Sequence, residues 1–162
     1  MDIFLVNDFG EWIEHNRVYR NKYPNHLFKE RSEEVGLDAG IYGMGIAVGD
    51  YDQDNDLDYY LTNIGRNVLH RNRGNGLFDD LTDDAGVGDS LQGHLYTVGW
   101  GTGFADVDLD TDLDLWVTNG YVPAFDFIAT NHLNPDRLFM NQGDGTFVDS
   151  SVVLGVNSNA QG

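Results

Sequence analysis

One long sequence motif occurs twice, as GMGIAVGDYDQDNDLDYYLTN (43–63) and as GWGTGFADVDLDTDLDLWVTN (99–119). The two copies align without a gap, so that position 43 corresponds to position 99. Each contains an alternating run of aspartates between two short stretches rich in glycine, β-branched and aromatic residues. Such flanks are typical of β-strands. Each copy is therefore predicted to be two strands joined by an acidic loop.

Further segments repeat around these two copies. NRGNGLFDDLTDDAGV (72–87) aligns with NQGDGTFVDSSVVLGV (141–156), and DIFLVN (2–7) matches DYYLTN (58–63). The N-terminal copy continues through RVYRN (17–21), LFKE (27–30) and VGL (35–37). Internal repeats of this kind indicate a propeller, a solenoid or another repeat array. Because the copies begin and end within a unit, we interpret the chain as a fragment of a longer repeat protein.

Each complete unit is predicted to contain four short strands. In the middle unit they are expected at 44–49, 58–63, 67–71 and 77–82. Asn-Gly and Gly-Asp-Gly sequences supply tight turns before the last strand. Four antiparallel strands per repeat of about 50 residues are typical of a β-propeller blade, and a stacked solenoid is the alternative. The sequence thus predicts an all-β chain of about two and a half blades.

The repeats also predict the boundaries of the units. They are a truncated blade at 1–38, complete blades at 39–88 and 89–156, and the start of a missing blade at 157–162. The third unit carries an insertion at 121–135. The rest of the propeller is therefore an expected partner of this segment. An open arc of blades would leave edge strands uncovered, so the fragment is expected to aggregate in isolation.

Composition excludes several classes of function. The 162 residues include 20 glycines, three prolines and no cysteine, so disulfides and thiolate metal sites are excluded. A net charge of −18, with only nine basic residues, disfavours binding to nucleic acid or to an anionic membrane. No stretch approaches the roughly 18 apolar residues that span a bilayer, so membrane insertion is not expected.

The two acidic loops are candidate calcium sites. Both read D-x-D-x-D-x-D-x-D, and five carboxylates in nine residues repel one another unless a cation neutralises them. Calcium is a hard cation that takes six to eight oxygen ligands. We expect side-chain ligands at loop positions 1, 3, 5 and 9, and a backbone carbonyl at position 7. The candidates are Asp50, Asp52, Asp54, Asp56 and Asp58, and Asp106, Asp108, Asp110, Asp112 and Asp114.

Other interpretations of these loops fit less well. An EF-hand requires Glu at position 12 between two helices, whereas Leu61 and Val117 occupy that position between predicted strands. Magnesium prefers octahedral sites with retained water, and zinc would call for His or Cys. A solvated acidic turn without metal is the remaining alternative. Position 6 usually needs a left-handed backbone, which Asn55 tolerates and the β-branched Thr111 does not. The second site is therefore expected to be weaker or differently shaped.

These residues resemble a known family. GMGIAVGDYDQDNDLDYYLTN, NVLHRNRGNGLF and DDAGV look like the FG-GAP/VCBS repeat. More narrowly, GWGTGFADVDLDTDLDLWVTNGYV and DRLFMNQGDGTFVD resemble cartilage-acidic-protein-like proteins, which are associated with an ASPIC/UnbV region. The resemblance implies a seven-bladed propeller, usually secreted or surface-exposed, with calcium held by the aspartates of the inter-strand loops. The family's loop glycine is replaced here by Asn55 and Thr111. No ASPIC/UnbV region or EGF module is visible.

No second constellation indicates catalysis. The five histidines are scattered, and His70 falls on a strand where related units place an aromatic residue, which favours a structural role. No nucleophile elbow, P-loop or dinucleotide fingerprint is present. We therefore expect a non-catalytic, extracellular, periplasmic or cell-surface scaffold that binds calcium. The alternatives are the propeller domain of a carbohydrate-active enzyme, such as a polysaccharide lyase, and a lectin-like propeller.

Two enlarged loops are candidates for binding a protein or glycan ligand of unknown identity. The insertion at 121–135 carries Tyr121, Phe125, Asp126 and Phe127, and the smaller insertion at 8–16 carries Trp12. Loops on a rigid scaffold often carry binding functions. Aromatic residues that fold back to cover the blade are the alternative interpretation.

Overall fold

The structure, a computed structural model, describes residues 2–89, 91–92, 95–122, 130 and 133–157. Short strands joined by turns make up most of it. The first group of strands is β1 (Ile3–Leu5), β2 (Arg17–Asn21) and β3 (Phe28–Glu30), followed by the helix α1 (Ser32–Val35). The second is β4 (Gly45–Gly49), β5 (Asp58–Thr62), β6 (Val68–Asn72) and β7 (Phe78–Asp80), followed by α2 (Thr82–Ala85). The third is β8 (Leu91–Gln92), β9 (Leu95–Tyr96), β10 (Gly99–Ala105), β11 (Asp114–Asn119), β12 (Arg137–Asn141) and β13 (Phe147–Asp149).

Three antiparallel sheets follow one another along the chain. The first has the strand order β1-β2-β3, the second β4-β5-β6-β7 and the third β10-β11-β12-β13, while β8 and β9 form a separate hairpin. Within each sheet, neighbours in sequence are neighbours in space, which is the up-and-down order of a propeller blade. The all-β prediction is confirmed. The predicted limits at 38/39 and 88/89 fall between sheets, and residues 158–162 lie outside the described residues.

The last strand of the middle sheet is shorter than predicted, because it gives way to a helical turn. The strand expected at 77–82 ends at Asp80, whose carboxylate accepts hydrogen bonds from the backbone N–H of Thr82 (3.1 Å) and from its hydroxyl (2.6 Å). The Thr82 hydroxyl oxygen in turn accepts a bond from the N–H of Leu69 (2.7 Å). Ser32 and Ser151 occupy the same position in the other two units.

An asparagine lies at or just after the end of β1, β5 and β11, at positions 7, 63 and 119. The N–H of Asn63 donates to the Asn67 side chain at 2.9 Å, and the Asn63 amide donates to the Arg66 carbonyl at 2.9 Å. Asn7 and Asn119 make the equivalent bonds. Since buried backbone donors need partners, this bond pattern holds the loop after the strand in one conformation in all three units.

The hydrophobic core lies between the sheets rather than within any one of them. Tyr60, fully buried on β5, faces the third sheet, and its hydroxyl donates to the Val87 carbonyl at 2.7 Å. It shares a cluster with Leu115 and Val117 of β11. The next residue, Leu61, points to the first sheet, where Phe4 and Val6 pack against its cluster. Both faces of the middle sheet are thus covered by its neighbours, as in consecutive blades.

Among the described residues the helices span four residues each, and none is long and apolar enough to cross a membrane.

Candidate metal centre

The first acidic loop brings three carboxylates together. It connects β4 to β5, and Asp50, Asp52 and Asp58 each offer one oxygen, all within 4.8 Å of one another. Asp58 is the first residue of β5 and is fully buried. The loop lies between two paired strands, so the exclusion of a helix-flanked EF-hand is confirmed.

Backbone N–H groups hold these carboxylates in place. Asp50 accepts bonds from the N–H of Asp54 (3.0 Å) and of Asn55 (2.9 Å). Asp58 accepts one bond from Tyr51 within the loop (3.2 Å) and one from Asn72 at the end of β6 (2.8 Å). Asp50 therefore ties the loop to itself, Asp58 ties it to the end of β6, and both still offer an oxygen to the cluster.

The second loop repeats this arrangement between β10 and β11. Asp106, Asp108 and Asp114 form the corresponding cluster within 4.8 Å. Asp106 accepts bonds from Asp110 and Thr111, both at 3.1 Å. Asp114 accepts bonds from Val107 at 3.0 Å and from Asn141 of β12 at 2.9 Å. The two loops thus use the same positions and the same backbone donors.

The loop backbone turns through left-handed conformations. Asn55 and Thr111 have φ values of 71° and 83°, which confirms the prediction for position 6. Position 4 is also left-handed, with φ of 59° at Gln53 and 66° at Leu109, and the sequence pattern missed this. The two loops share these backbone conformations, so the expectation that the second is weaker or differently shaped now depends on its affinity. The expectation of weaker binding there stays a prediction.

The remaining candidate residues lie outside the two clusters. Asp54 and Asp110 each accept a bond from the N–H two residues later, at 2.9 Å. The Asp112 carboxylate accepts a hydrogen bond from the Gln53 side chain. Among the described residues, the structure therefore brings together positions 1, 3 and 9 of each loop. Side-chain ligation at position 5 and carbonyl ligation at position 7 stay predictions.

The clustered carboxylates are electrostatically unfavourable without a cation. Burial, reinforced by Asp52 and Asp54 and opposed by the bonds from Asn72 and Tyr51, raises the pKa of Asp58 to about 7. Burial and then Asp54 raise the pKa of Asp52, and burial and Asp110 raise that of Asp108. Within the described part of the chain, Asp52 Oδ1 is buried without a hydrogen-bond partner. An all-oxygen cluster with an unsatisfied buried oxygen suits a hard divalent cation.

Hydrogen bonds connect the two loops, and the pattern of aspartates did not reveal them. Besides its bond to Asp112, the Gln53 amide approaches the Thr111 carbonyl at 3.4 Å. The Asn141 amide donates to the Tyr51 carbonyl in the first loop (2.9 Å) and to the Leu113 carbonyl in the second (3.1 Å). A cavity of about 150 Å³ between the loops is lined by Asp52, Gln53 and Asp112, among others. The two clusters are therefore neighbours rather than isolated sites.

A signal for part of this network was present in the sequence. Asparagine is the last residue of β2, β6 and β12, at positions 21, 72 and 141. In the first unit the N–H of Asn21 donates to the Asp2 carboxylate at 2.8 Å, just as Asn72 donates to Asp58. Asp2 therefore corresponds to position 9 of the two acidic loops.

The other candidates from the sequence have different surroundings. His70 is buried on β6, and among the described residues neither ring nitrogen has a hydrogen-bond partner. Burial lowers its pKa to about 4, in keeping with a neutral structural residue. Trp12 is 74% exposed. Of the 121–135 insertion, residues 123–129, 131 and 132, which include Phe125, Asp126 and Phe127, lie outside the described residues.

Comparisons with known proteins agree with this architecture. Residues 1–61, which contain the truncated unit and the first acidic loop, match the family model described as FG-GAP-like repeat. The match and the three antiparallel sheets together support a β-propeller repeat segment. Cartilage acidic protein 1 of Xenopus tropicalis is 33% identical over 99 residues, which cover 60% of this chain. The matched part spans only 14% of the length of that relative.

Proposed function

We propose that this chain is a calcium-stabilised segment of a β-propeller that serves as a non-catalytic binding or adhesion scaffold outside the cell. The observation that carries the proposal is the duplicated cluster, in which three carboxylates converge in the same way in two loops. The same positions of both loops offer carboxylate oxygens, the ligand type that calcium prefers. The name of the amphibian relative supports an extracellular or cell-surface location and the narrower cartilage-acidic-protein-like assignment, with its ASPIC/UnbV association.

The role of the metal would be structural. Calcium supplies positive charge that neutralises the clustered carboxylates. Asp58 and Asp114 are well placed to transmit this effect, because each joins its loop to the end of the third strand through Asn72 or Asn141. Calcium bound in a loop would therefore stabilise the pairing of β5 with β6, or of β11 with β12. A blade held rigid in this way can present its loops to a partner.

Thermal unfolding with and without calcium tests the proposal. A ligand that binds only the folded state, at about a hundred times its dissociation constant, stabilises by about 2.7 kcal/mol per site. We expect calcium to raise the melting temperature, a chelator to reverse the rise, and magnesium to have a smaller effect. Asp52→Asn should remove the contribution of the first loop, since its carboxylate belongs to the cluster and, within the described part of the chain, its Oδ1 is buried without a hydrogen-bond partner.

Asp56→Asn is the matched control. It neutralises one carboxylate of the same loop at a position outside the cluster, and should keep most of the calcium-induced rise. If Asp52→Asn and Asp56→Asn respond to calcium as the unaltered protein does, the clusters are not the calcium sites. If calcium and chelator give the same melting temperature, the metal proposal is wrong.

A sugar-binding propeller is the second candidate function. The observation that favours it is the exposed Trp12 on a blade loop, because an exposed indole is a suitable platform for a sugar ring. A signal on a glycan array that is lost in Trp12→Ala would support this function. Catalytic residues elsewhere in the complete protein would instead support the propeller domain of a carbohydrate-active enzyme.

A further inference from the structure

A turn between β1 and β2 places large apolar side chains in solvent. This turn, residues 8–14, exposes 77% of Ile13 as well as most of Trp12, and Phe9 is exposed beside them. Isolated apolar residues on a surface are ordinary, whereas three within five positions form a patch of the kind found where partners bind.

Several contacts hold the turn in one conformation. The Phe9 carbonyl accepts bonds from the N–H of Trp12 (3.0 Å) and of Ile13 (2.9 Å). The N–H of Gly10 donates to the Ile41 carbonyl at 2.8 Å, and a Cβ at position 10 would lie only 2.5 Å from that oxygen. The Phe9 ring meets Tyr42 edge to face, with centroids 5.6 Å apart. A turn ordered before binding loses little conformational entropy when a partner docks.

The charges beside this patch are negative and unpaired with cations. Asp8 and Glu11 are both exposed, and among the described residues neither forms a salt bridge. Burial raises the pKa of Tyr42, the charges of Glu11 and Asp8 add to the rise, and a hydrogen bond with Trp12 opposes it. Glu14 differs, because it pairs with Arg17. Segment 8–16 contains no Lys or Arg.

We propose that the 8–14 turn is a docking surface for a basic peptide segment of a partner protein, which presents an Arg or Lys side chain to Trp12, Asp8 and Glu11. A cation over an indole face is attracted by the ring, and the two carboxylates add charge complementarity. Ile13 and Phe9 offer apolar contact to the aliphatic stem of the same side chain. The inference deepens the scaffold function proposed above and rests on it for the existence of a partner.

Charge favours this partner over others. A net charge of −18 repels nucleic acid and anionic lipid, so neither fits an acidic aromatic surface. A neutral glycan could stack on Trp12, but it would leave the charges of Asp8 and Glu11 without a role.

The test measures binding of a peptide to the full-length protein by fluorescence polarisation at physiological ionic strength. The probe is a labelled peptide of alternating arginine and leucine, compared with a peptide in which glutamine replaces arginine. We expect Trp12→Ala to weaken binding of the arginine peptide about tenfold, as for an aromatic hot spot. Glu11→Gln and Asp8→Asn should each weaken it several-fold, and the glutamine peptide should bind poorly.

Matched controls separate this surface from the general attraction of an acidic protein for a basic peptide. Tyr23→Ala removes an aromatic residue that is equally exposed, on the loop between β2 and β3, and Glu33→Gln removes one exposed carboxylate on α1. Both should change the affinity less than twofold.

Three results would overturn the proposal. They are equal losses in Trp12→Ala and Tyr23→Ala, equal binding of the arginine and glutamine peptides, and binding of a neutral glycan at Trp12 in place of the peptide. The calcium-induced rise in melting temperature is measured on the same samples. A normal rise without site-specific peptide binding would reject the docking surface alone, whereas loss of the rise would reject the calcium proposal.

Discussion

At the scale of single residues, the two acidic loops differ most at position 6. Both residues there are left-handed, but Asn55 tolerates this conformation and Thr111 is β-branched. A strained backbone conformation of this kind costs about 1–3 kcal/mol and persists only where its surroundings impose it. The bonds from the N–H of Asp110 and Thr111 to Asp106 impose it here.

Replacing Thr111 with glycine should therefore stabilise the protein. We expect Thr111→Gly to raise the free energy of unfolding by about 1 kcal/mol, since relief of strain outweighs the greater flexibility of glycine in the unfolded chain. It should also tighten calcium binding by the second loop. Urea unfolding and calorimetric titration measure the two effects. Asn55→Gly is the control and should change both less; a larger gain in Asn55→Gly would contradict the explanation.

His70 makes a prediction about acid stability. Its folded pKa of about 4 lies below the usual value of about 6.5, so the unfolded chain takes up the proton first as the pH falls. The stability conferred by the neutral ring is fully present above pH 6.5 and is lost as the pH falls toward 4, by up to about 3 kcal/mol.

Replacing His70 with phenylalanine, the residue at the matching position 139, should remove this loss. The measurement is the free energy of unfolding of both proteins across this pH range. Loop carboxylates titrate in the same range in both, so the difference between the two curves isolates the imidazole. Parallel curves would show that His70 contributes nothing to acid sensitivity.

At the scale of elements, the two acidic loops are physically joined. Gln53 reaches from the first loop to Asp112 in the second, and Asn141 contacts carbonyls of both. Calcium that orders one loop would therefore also hold the side chains of Gln53 and Asn141, which form hydrogen bonds with the other loop. Energetic coupling between sites is reciprocal, so each loop should bind calcium more tightly when the other is loaded.

Disabling one loop should weaken the other. We expect Asp52→Asn to lower the calcium affinity of the second loop a few-fold, and Gln53→Ala to reduce this effect because it removes a direct bond between the loops. Calorimetric titration of the two single variants and the double variant measures the coupling as a mutant cycle. Strict additivity in the cycle would mean that the loops act independently.

At the scale of the whole described molecule, stability depends on contacts between sheets. Leu115 of the third sheet is fully buried against residues of the second, such as Tyr60 and Val87. A single sheet of this size has no core of its own, as in other repeat proteins, where each unit buries its apolar face on its neighbours.

Truncation of this shared core should destabilise both sheets together. Leu115→Ala is expected to cost about 2–5 kcal/mol, the usual range for a buried leucine, and to leave a single unfolding transition. Val48→Ala, at a half-exposed position on β4, should cost less than about 1 kcal/mol. Separate transitions for the two sheets in urea would contradict a common core.

The repeat, the strand order within each unit and the two acidic loops could all be predicted from the amino-acid sequence, because they depend on local spacing and composition. The left-handed residue at position 6 was also expected from the loop pattern, whereas the one at position 4 was not. Which carboxylates converge became visible in three dimensions alone, because Asp58 and Asp114 are held by backbone donors from a different strand, at Asn72 and Asn141. The tertiary structure also showed the bond from Gln53 to Asp112 and the covering of both faces of the middle sheet, because both depend on contacts between residues distant in the chain. Alternation within one unit carries no information about how neighbouring units pack.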